Sequence, residues 1–315
     1  MRRSFLTLAL AATALAGCNM APKYVQPDAG APPQWPQGAA YAPAQAGEAG
    51  MPWRTLFADP RLQTVIERAL ANNQDLQASL ANVASARAQY HVERSYQLPT
   101  ITAGGSAVVT RGLKSSAGDS QSYDANVGFS AFELDLFGRL KNQSREAMET
   151  YLSTESGYRS ARLTLVANVA TAYVTLASDR DLLRLAEQTR DSGQRSLELT
   201  ETLFKAGLSP AGDVASARTV VEQANSDVAS QTTLVAQDRN ALELLVGGPV
   251  EDALLPASLD ELDGRIGQVP AGLSSDVLLR RPDVVEAEHQ LKATYAQIGD
   301  CLLYTSDAAD EGLGV

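Results

Sequence analysis

A run without proline from Gly138 to about Lys205 constrains the fold more than any other feature of the sequence. Apolar or small residues recur in it at helical spacing, and its best seam is Leu163, Val166, Ala170, Tyr173 and Ala177. At 1.5 Å per residue this helix would be roughly 100 Å long, far beyond an ordinary globular helix. The low aromatic content of 6% also favours close-packed helices over an aromatic-rich core.

The chain turns back after this run. The turn "KAGLSPAGD" holds Gly207, Pro210 and Gly212, and the next helix repeats the same spacing until glycines and prolines stop it after Leu245. Its seam positions are Val214, Ala217, Val221, Ala224, Val228, Gln231 and Val235. Because many seam residues are Ala or Val, the two helices can approach closely. The sequence therefore predicts a long coiled-coil helical hairpin over about 139–246.

Two stretches of alternating residues precede the long helix, at about 100–110 and 123–135. The polar loop "RGLKSSAGDSQS" joins them, so we expect an antiparallel β-hairpin with one apolar and one polar face. Each strand is about long enough to cross a membrane when tilted. A strand pair of a soluble sandwich has the same pattern, and the hairpin alone leaves both interpretations open. Before the strands, spacing from Ile66 to Tyr90 predicts one helix, which Pro99 ends.

The N-terminus has the layout of a lipoprotein signal peptide. Two arginines precede an apolar stretch too short to span a bilayer, and "LAGC" then places Cys18 where acylation and cleavage occur. The alternative is an ordinary secretory signal with an incidental cysteine. We expect residues 1–17 to be removed, Cys18 to carry a covalent lipid, and residues 18–60 to form an extended tether or wrapping segment. With Cys18 acylated only Cys301 remains, so no intramolecular disulfide is expected.

A weak internal repeat appears when the chain is shifted by 208 residues, so that Asp75 meets Asp283 and Leu76 meets Val284. It divides the chain into a first repeat at 61–247 and a linker with the start of a second repeat at 248–300. The repeat stops near Asp300. Residues 301–315, "CLLYTSDAADEGLGV", continue none of its patterns, and we interpret this tail as foreign to the fold.

Several of these segments together resemble the TolC-like outer-membrane efflux protein family, and within it the nodulation protein T and multidrug efflux lipoprotein branch. They are the lipobox, "FELDLFGRLKN", "VANVATAYVTL", "AGLSPAGDVASAR", "ALELLVG" and "GLSSDVLLRRPDVVEAEHQLKATYAQIGD". The resemblance implies a mainly helical trimer whose protomers each give four strands to a shared transmembrane barrel and long helices to a periplasmic tunnel. This sequence carries two of those strands and one helical hairpin, as a C-terminally truncated member would.

The resemblance also implies roles for particular residues. Gly207, Leu208 and Ser209 match the tip that docks on a periplasmic adaptor, although Leu208 could instead form a hydrophobic cap contact at the helix end. Asp213 matches a residue of the closed periplasmic aperture, although it could instead cap the next helix. In the barrel lumen we expect Asp124, Asn126 and Ser130, which could equally be ordinary solvent-facing strand residues.

No catalytic motif, phosphate loop or metal-ligand spacing appears in the sequence, and His91 and His289 stand alone. The net charge of −11 argues against a nucleic-acid partner. We therefore expect no enzyme and no cofactor beyond the lipid. The leading interpretation is a lipid-anchored outer-membrane channel component of a tripartite efflux system, partnered by an adaptor and an inner-membrane pump. The alternative is a periplasmic coiled-coil adaptor or scaffold lipoprotein.

Overall fold

The computed structural model describes residues 21–27, 30, 52–110, 120–129, 135, 137–269 and 276–311. In chain order the elements are α1 Trp53–Leu56, α2 Pro60–Asn72, α3 Gln74–Ser95, β1 Ile101–Thr110, β2 Ser120–Phe129, α4 Arg139–Lys205, α5 Ala211–Val246, α6 Asp276–Leu279 and α7 Pro282–Glu311, with single 3₁₀ turns at Asp252–Leu254 and Asp260–Leu262. The chain divides into two compact units. The first comprises residues 1–29, 81–157 and 282–315, and the second comprises 30–80 and 158–281.

The long helical hairpin is confirmed, with α4 and α5 ending close to the predicted positions. On α5 the predicted seam is the less exposed face, and Val221 and Ala224 are fully buried. On α4 the seam is buried from Val166 to Ala177, but Leu163 is about half exposed and does not belong to it. Small seam residues thus bring two helices together, as their sequence indicated.

The single helix predicted before the strands is wrong, because the chain breaks at Asn73 into α2 and α3. Asn73 has an extended backbone, its N–H donates to Ala69 O, and its Oδ1 accepts from Leu76 N at 2.9 Å. Its Nδ2 donates to Leu245 O at 3.0 Å, near the end of α5. The backbone of Asn73 therefore ends one helix, while its buried side chain caps the next helix and satisfies a carbonyl of a third.

The core of the second unit is formed by α2, the part of α4 from Leu165 to Ala177, the end of α5 and the segment that follows α5. Its wholly buried side chains include Leu62, Ile66, Val169, Tyr173, Leu176 and Leu242. The segment after α5 is held by polar links as well: the Tyr173 hydroxyl donates to Leu254 O at 2.9 Å and Arg180 donates to Pro256 O at 2.6 Å. This segment is therefore a fixed part of the core.

A buried carboxylate starts α2. Asp59, 1% exposed, accepts from the backbone N–H groups of Arg61 and Leu62 and pairs with the guanidinium groups of Arg61 and Arg265. Burial opposes its ionisation, but the bonds from Arg61 and Leu62 prevail and leave the pKa of Asp59 below its usual range. Arg265 lies in the segment after α5, so this pairing also ties that segment to α2.

In the first unit, α7 packs against the beginning of α4 through polar and small residues. His289 Nδ1 lies 2.7 Å from Glu149 Oε2, and Gln143 donates to Asp300 at 3.0 Å. The predicted helix start at Pro282 is confirmed. The helix continues to Glu311 and so includes most of the tail 301–315, whose origin stays a prediction.

Candidate functional site

The β-hairpin separates most of its side chains by polarity between its two faces, the exceptions being Val108 on the polar face and Gln121 on the apolar face. Ile101 pairs with Phe129, Ala103 with Val127, Gly105 with Ala125 and Ala107 with Tyr123, and directly paired residues point to the same side. The alternate pairs place Thr102, Ser106, Asp124 and Asn126 on the other side. Both faces are exposed, with Val127 at 79%. The predicted hairpin with one apolar and one polar face is confirmed.

Two of the three proposed lumen residues lie on the polar face. Asp124 is opposite Ser106, and its carboxylate accepts from Ser122 at 3.4 Å. Asn126 is opposite Gly104, where an added Cβ would come within 2.6 Å of the Asn126 Oδ1. The absence of a side chain at Gly104 therefore lets the Asn126 amide lie across the neighbouring strand. Ser130 lies outside the described residues, as does Cys18.

The junction between β2 and α4 is a compact helix start. Gly138 has a φ of 83°, which favours glycine, and the Asp135 carboxylate accepts from Lys141 N at 2.9 Å. Asn142 N donates to Gly138 O. The "DLFGRL" segment thus supplies both the left-handed residue and a side-chain acceptor for the free N–H groups of a long helix.

The tip of the helical hairpin ends α4 with a Schellman motif. Gly207, with a φ of 72°, donates from its N–H to Phe204 O, and Leu208 N donates to Leu203 O. The backbone N–H of Leu208 therefore closes the end of α4, while the roles considered for its side chain stay predictions. Its side chain nevertheless stays 75% exposed, and Phe204 is about half exposed beside it. The hairpin ends in an apolar surface.

Asp213 is not the N-cap of α5, because Pro210 occupies that position and Asp213 is the third helical residue. Its carboxylate accepts a hydrogen bond from the Ser209 hydroxyl at 2.7 Å. A carboxylate in the first turn also interacts favourably with the helix dipole. The two residues assigned to docking and to the aperture are thus linked to each other across the turn.

Two acidic residues, Asp179 on α4 and Asp238 on α5, are neighbours farther from the tip. Burial raises the pKa of Asp238, and the proximity of the Asp179 carboxyl group raises it further. Asp238 Oδ2 is shielded from solvent and has no hydrogen-bond donor in the described structure.

The described residues contain no group of three or more metal-ligating side chains. Among the described helices, none is both long and apolar enough to span a bilayer.

A long helical hairpin together with a two-stranded antiparallel sheet places the chain in a class of mainly helical proteins with one β-hairpin. The profile of the family described as outer membrane efflux protein matches residues 65–248. The chain belongs to this family, whose members are transport channels. Its assignment to the nodulation protein T branch stays a prediction.

Individual relatives are similar over nearly the whole chain. The probable efflux pump outer membrane protein TtgC of Pseudomonas putida is 42% identical over 95% of this chain and 63% of its own length. The cation efflux system protein CusC of Escherichia coli is 37% identical over 91% and 63%. The chain thus spans about 63% of the length of these relatives.

Solved structures of the family have the same fold. A crystal structure of CusC superposes with a TM-score of 0.73 at 35% identity, covering 90% of this chain and 63% of that one. The open-state Neisseria gonorrhoeae MtrE outer membrane channel gives 0.71 at 32% identity, with the same coverage. The fold class is confirmed as mainly helical with a two-stranded antiparallel sheet.

Sequence reasoning missed some residues that shape these sites. Gly104 is one, because its effect depends on its partner across the strands. The bond between Ser209 and Asp213 is another, although a Ser four residues before an Asp in a turn could have suggested it. Contacts of this kind form only when the chain folds. The sequence can suggest them only where the two residues are close along the chain.

Proposed function

We propose that this chain belongs to a passive outer-membrane conduit of a tripartite efflux system. The observation that carries the proposal is the sorting of hairpin side chains into an exposed apolar face and an exposed polar face. Strands of ten residues fit the thickness of a bilayer when tilted, and lipid outside with water inside explains both faces. The rival, a periplasmic scaffold, gives no reason for an exposed apolar strand face.

Within this proposal the strands of three copies form one shared barrel, and Asp124, Asn126 and Ser130 face its water-filled lumen. The helical hairpin extends into the periplasm, where the apolar tip at Gly207, Leu208 and Ser209 docks on an adaptor protein. The exposed Leu208 side chain suits such a contact, since apolar anchors dominate protein interfaces. Asp213, bonded to Ser209, then couples the docking tip to the aperture.

The conduit carries out no chemical step and takes no cofactor. An inner-membrane pump supplies the transport energy, and solute selection occurs upstream of this protein. The lipid on Cys18 anchors the chain in the outer membrane. The similarity to TtgC and CusC supports a place in an efflux system, while their names differ in what is exported.

Two neighbouring residues of β2 give a matched test. Val127 lies on the apolar face and Asn126 on the polar face, so Val127→Lys and Asn126→Lys place the same charge on opposite sides of one strand. A lysine facing lipid near the bilayer midplane costs about 2–4 kcal/mol, and one in the lumen costs little. The protein, expressed from its complete reading frame, would be measured as folded trimer in outer-membrane fractions and as dye efflux from cells.

We expect Val127→Lys to reduce the folded outer-membrane protein at least tenfold. Asn126→Lys should leave that amount unchanged and slow the passage of cationic dyes. Equal effects of the two substitutions on assembly would mean that the two faces are not lipid and water, and would refute the conduit.

A further inference from the structure

The segment after the predicted acylation site lies against α7 in the first unit. The Tyr24 ring meets the Tyr295 ring edge to face, with centroids 5.7 Å apart, and the Lys292 ammonium lies 5.2 Å from the Tyr24 centroid. Glu288 pairs with Lys292 at 2.8 Å and is hydrogen-bonded to Tyr24. A segment predicted to be a tether is therefore held by specific side chains here.

Gly299 provides the closest contact. A Cβ at this position would lie 2.6 Å from the Ala21 Cβ, 2.9 Å from the Ala21 Cα and 2.7 Å from the Asn142 Nδ2. The Ala21 atoms belong to backbone and Cβ, so no flexible side chain could move aside. A glycine inside a helix costs about 1 kcal/mol relative to alanine, and this close approach of the N-terminal segment is a physical reason for it.

Glu288, Lys292, Tyr295 and Gly299 follow one another at intervals of four, three and four residues, which places them in one stripe along α7. We propose that this stripe is a docking groove for residues 21–24, which follow Cys18 closely in sequence, and that docking holds the lipid anchor near the first turn of α4. Asn142 lies in that turn, and its Nδ2 is also close to Gly299. This proposal rests on the proposed acylation of Cys18.

The docking groove limits where the lipid on Cys18 can enter the membrane. Cys18 precedes Ala21 by three residues, so the Cα atoms of the two residues can be no more than about 11 Å apart. A free tether would let the lipid enter the membrane anywhere within the reach of residues 18–60. A docked segment instead sets one height of the long helices relative to the membrane surface.

Trypsin can measure docking directly, because Lys23 is the first basic residue after Cys18. Cleavage after Lys23 requires the segment to leave α7, so docking protects this bond. The protein would be extracted in detergent, and the release of residues 18–23 followed by mass spectrometry. Gly299→Ala should raise the cleavage rate at Lys23 at least tenfold, because the new methyl group displaces Ala21.

Gly193→Ala is the matched control, since its new Cβ would meet Val221 Cγ2 at 3.5 Å, an ordinary contact within another helix. It should leave the rate unchanged. Tyr295→Ala should also accelerate cleavage, and it leaves the Gly299 contact intact, so the groove remains testable if Gly299→Ala unfolds the helix. Cleavage of the unsubstituted protein as fast as that of both groove variants would overturn the groove.

The mass of the released peptide reports acylation separately. A peptide carrying acyl chains supports the lipid anchor, whereas an unmodified peptide removes the anchor and with it the membrane role of the groove. The rate difference between Gly299→Ala and Gly193→Ala then still shows whether the segment docks. Failure of the proposed acylation and failure of the docking therefore give different results.

Discussion

Tyr173 offers the sharpest test of how the segment after α5 is held. Its side chain is fully buried, and its hydroxyl donates to Leu254 O at 2.9 Å. Tyr173→Phe removes the donor with almost no change in volume and leaves a carbonyl without that partner. Such a loss costs about 1–3 kcal/mol. We expect this reduction in the free energy of unfolding at pH 7, measured by urea titration with far-UV circular dichroism.

The pKa of Tyr173 also determines how the difference in stability between the parent protein and Tyr173→Phe changes with pH. Burial raises the pKa of Tyr173 to about 12, above the ordinary value of 10.0, so the folded state holds the phenol proton more tightly than the unfolded state. The stability that this pKa difference contributes is fully present below pH 10 and is lost as the pH rises toward 12. At pH 11 the unsubstituted protein should have lost about 1.4 kcal/mol relative to Tyr173→Phe.

Tyr96→Phe, at an exposed tyrosine, is the control and should change stability by less than about 0.5 kcal/mol at either pH. If Tyr173→Phe is as stable as the parent at pH 7, the hydroxyl does not hold the segment. A difference between parent and variant that stays constant from pH 8 to 11 would show that Tyr173 is not shielded from water. Either result refutes the reasoning.

Three further predictions concern other positions. Gly247→Ala should destabilise by at least about 2 kcal/mol, since Gly247 has a φ of 79° and its Cβ would lie 2.6 Å from Asn72 O, whereas Gly248→Ala, with open space around it, should be neutral in the same urea titration. Asp238→Asn should raise the melting temperature at pH 7, because the raised pKa makes ionisation of Asp238 destabilising as pH increases. This gain should vanish below about pH 4, and the exposed Asp227→Asn, as the control, should leave the melting temperature at pH 7 unchanged. Leu208→Asp should weaken co-purification with the adaptor without changing protein level, and Leu199→Asp, also exposed but farther from the turn, should not.

The regular elements could be predicted from the sequence because their signals are local. The spacing of small residues located α4 and α5, and the alternation of polarity gave the two faces of the hairpin. The start of β2 was set three residues too late, since Ser120, Gln121 and Ser122 lack alternation. Their backbones nevertheless pair with β1, opposite Thr110, Val109 and Val108. A ladder depends on its partner strand as well as on its own pattern.

The break at Asn73 could not be predicted in the same way. An asparagine within an apolar seam is an anomaly, but the partner that uses its amide, Leu245, lies 172 residues away in sequence. The contact of Gly299 with Ala21 is likewise made between distant segments. Local patterns indicate which face of a helix or strand is buried. The distant residue that contacts that face or caps its end is determined by tertiary packing.

The helical and strand parts of this chain obtain their stability from different sources. The second unit buries a continuous set of apolar side chains, and the buried polar groups of Asp59 and Tyr173 are hydrogen-bonded within the fold. The hairpin buries neither face and leaves both outer strand edges unpaired within the described sheet. Because an isolated two-stranded hairpin is marginal in water, we expect β1 and β2 to need stabilising partners, which under the proposed function are further strands and lipid. It follows that assembly in a membrane should order the hairpin after the helical core, and that substitutions such as Val127→Lys should reduce assembly without unfolding that core.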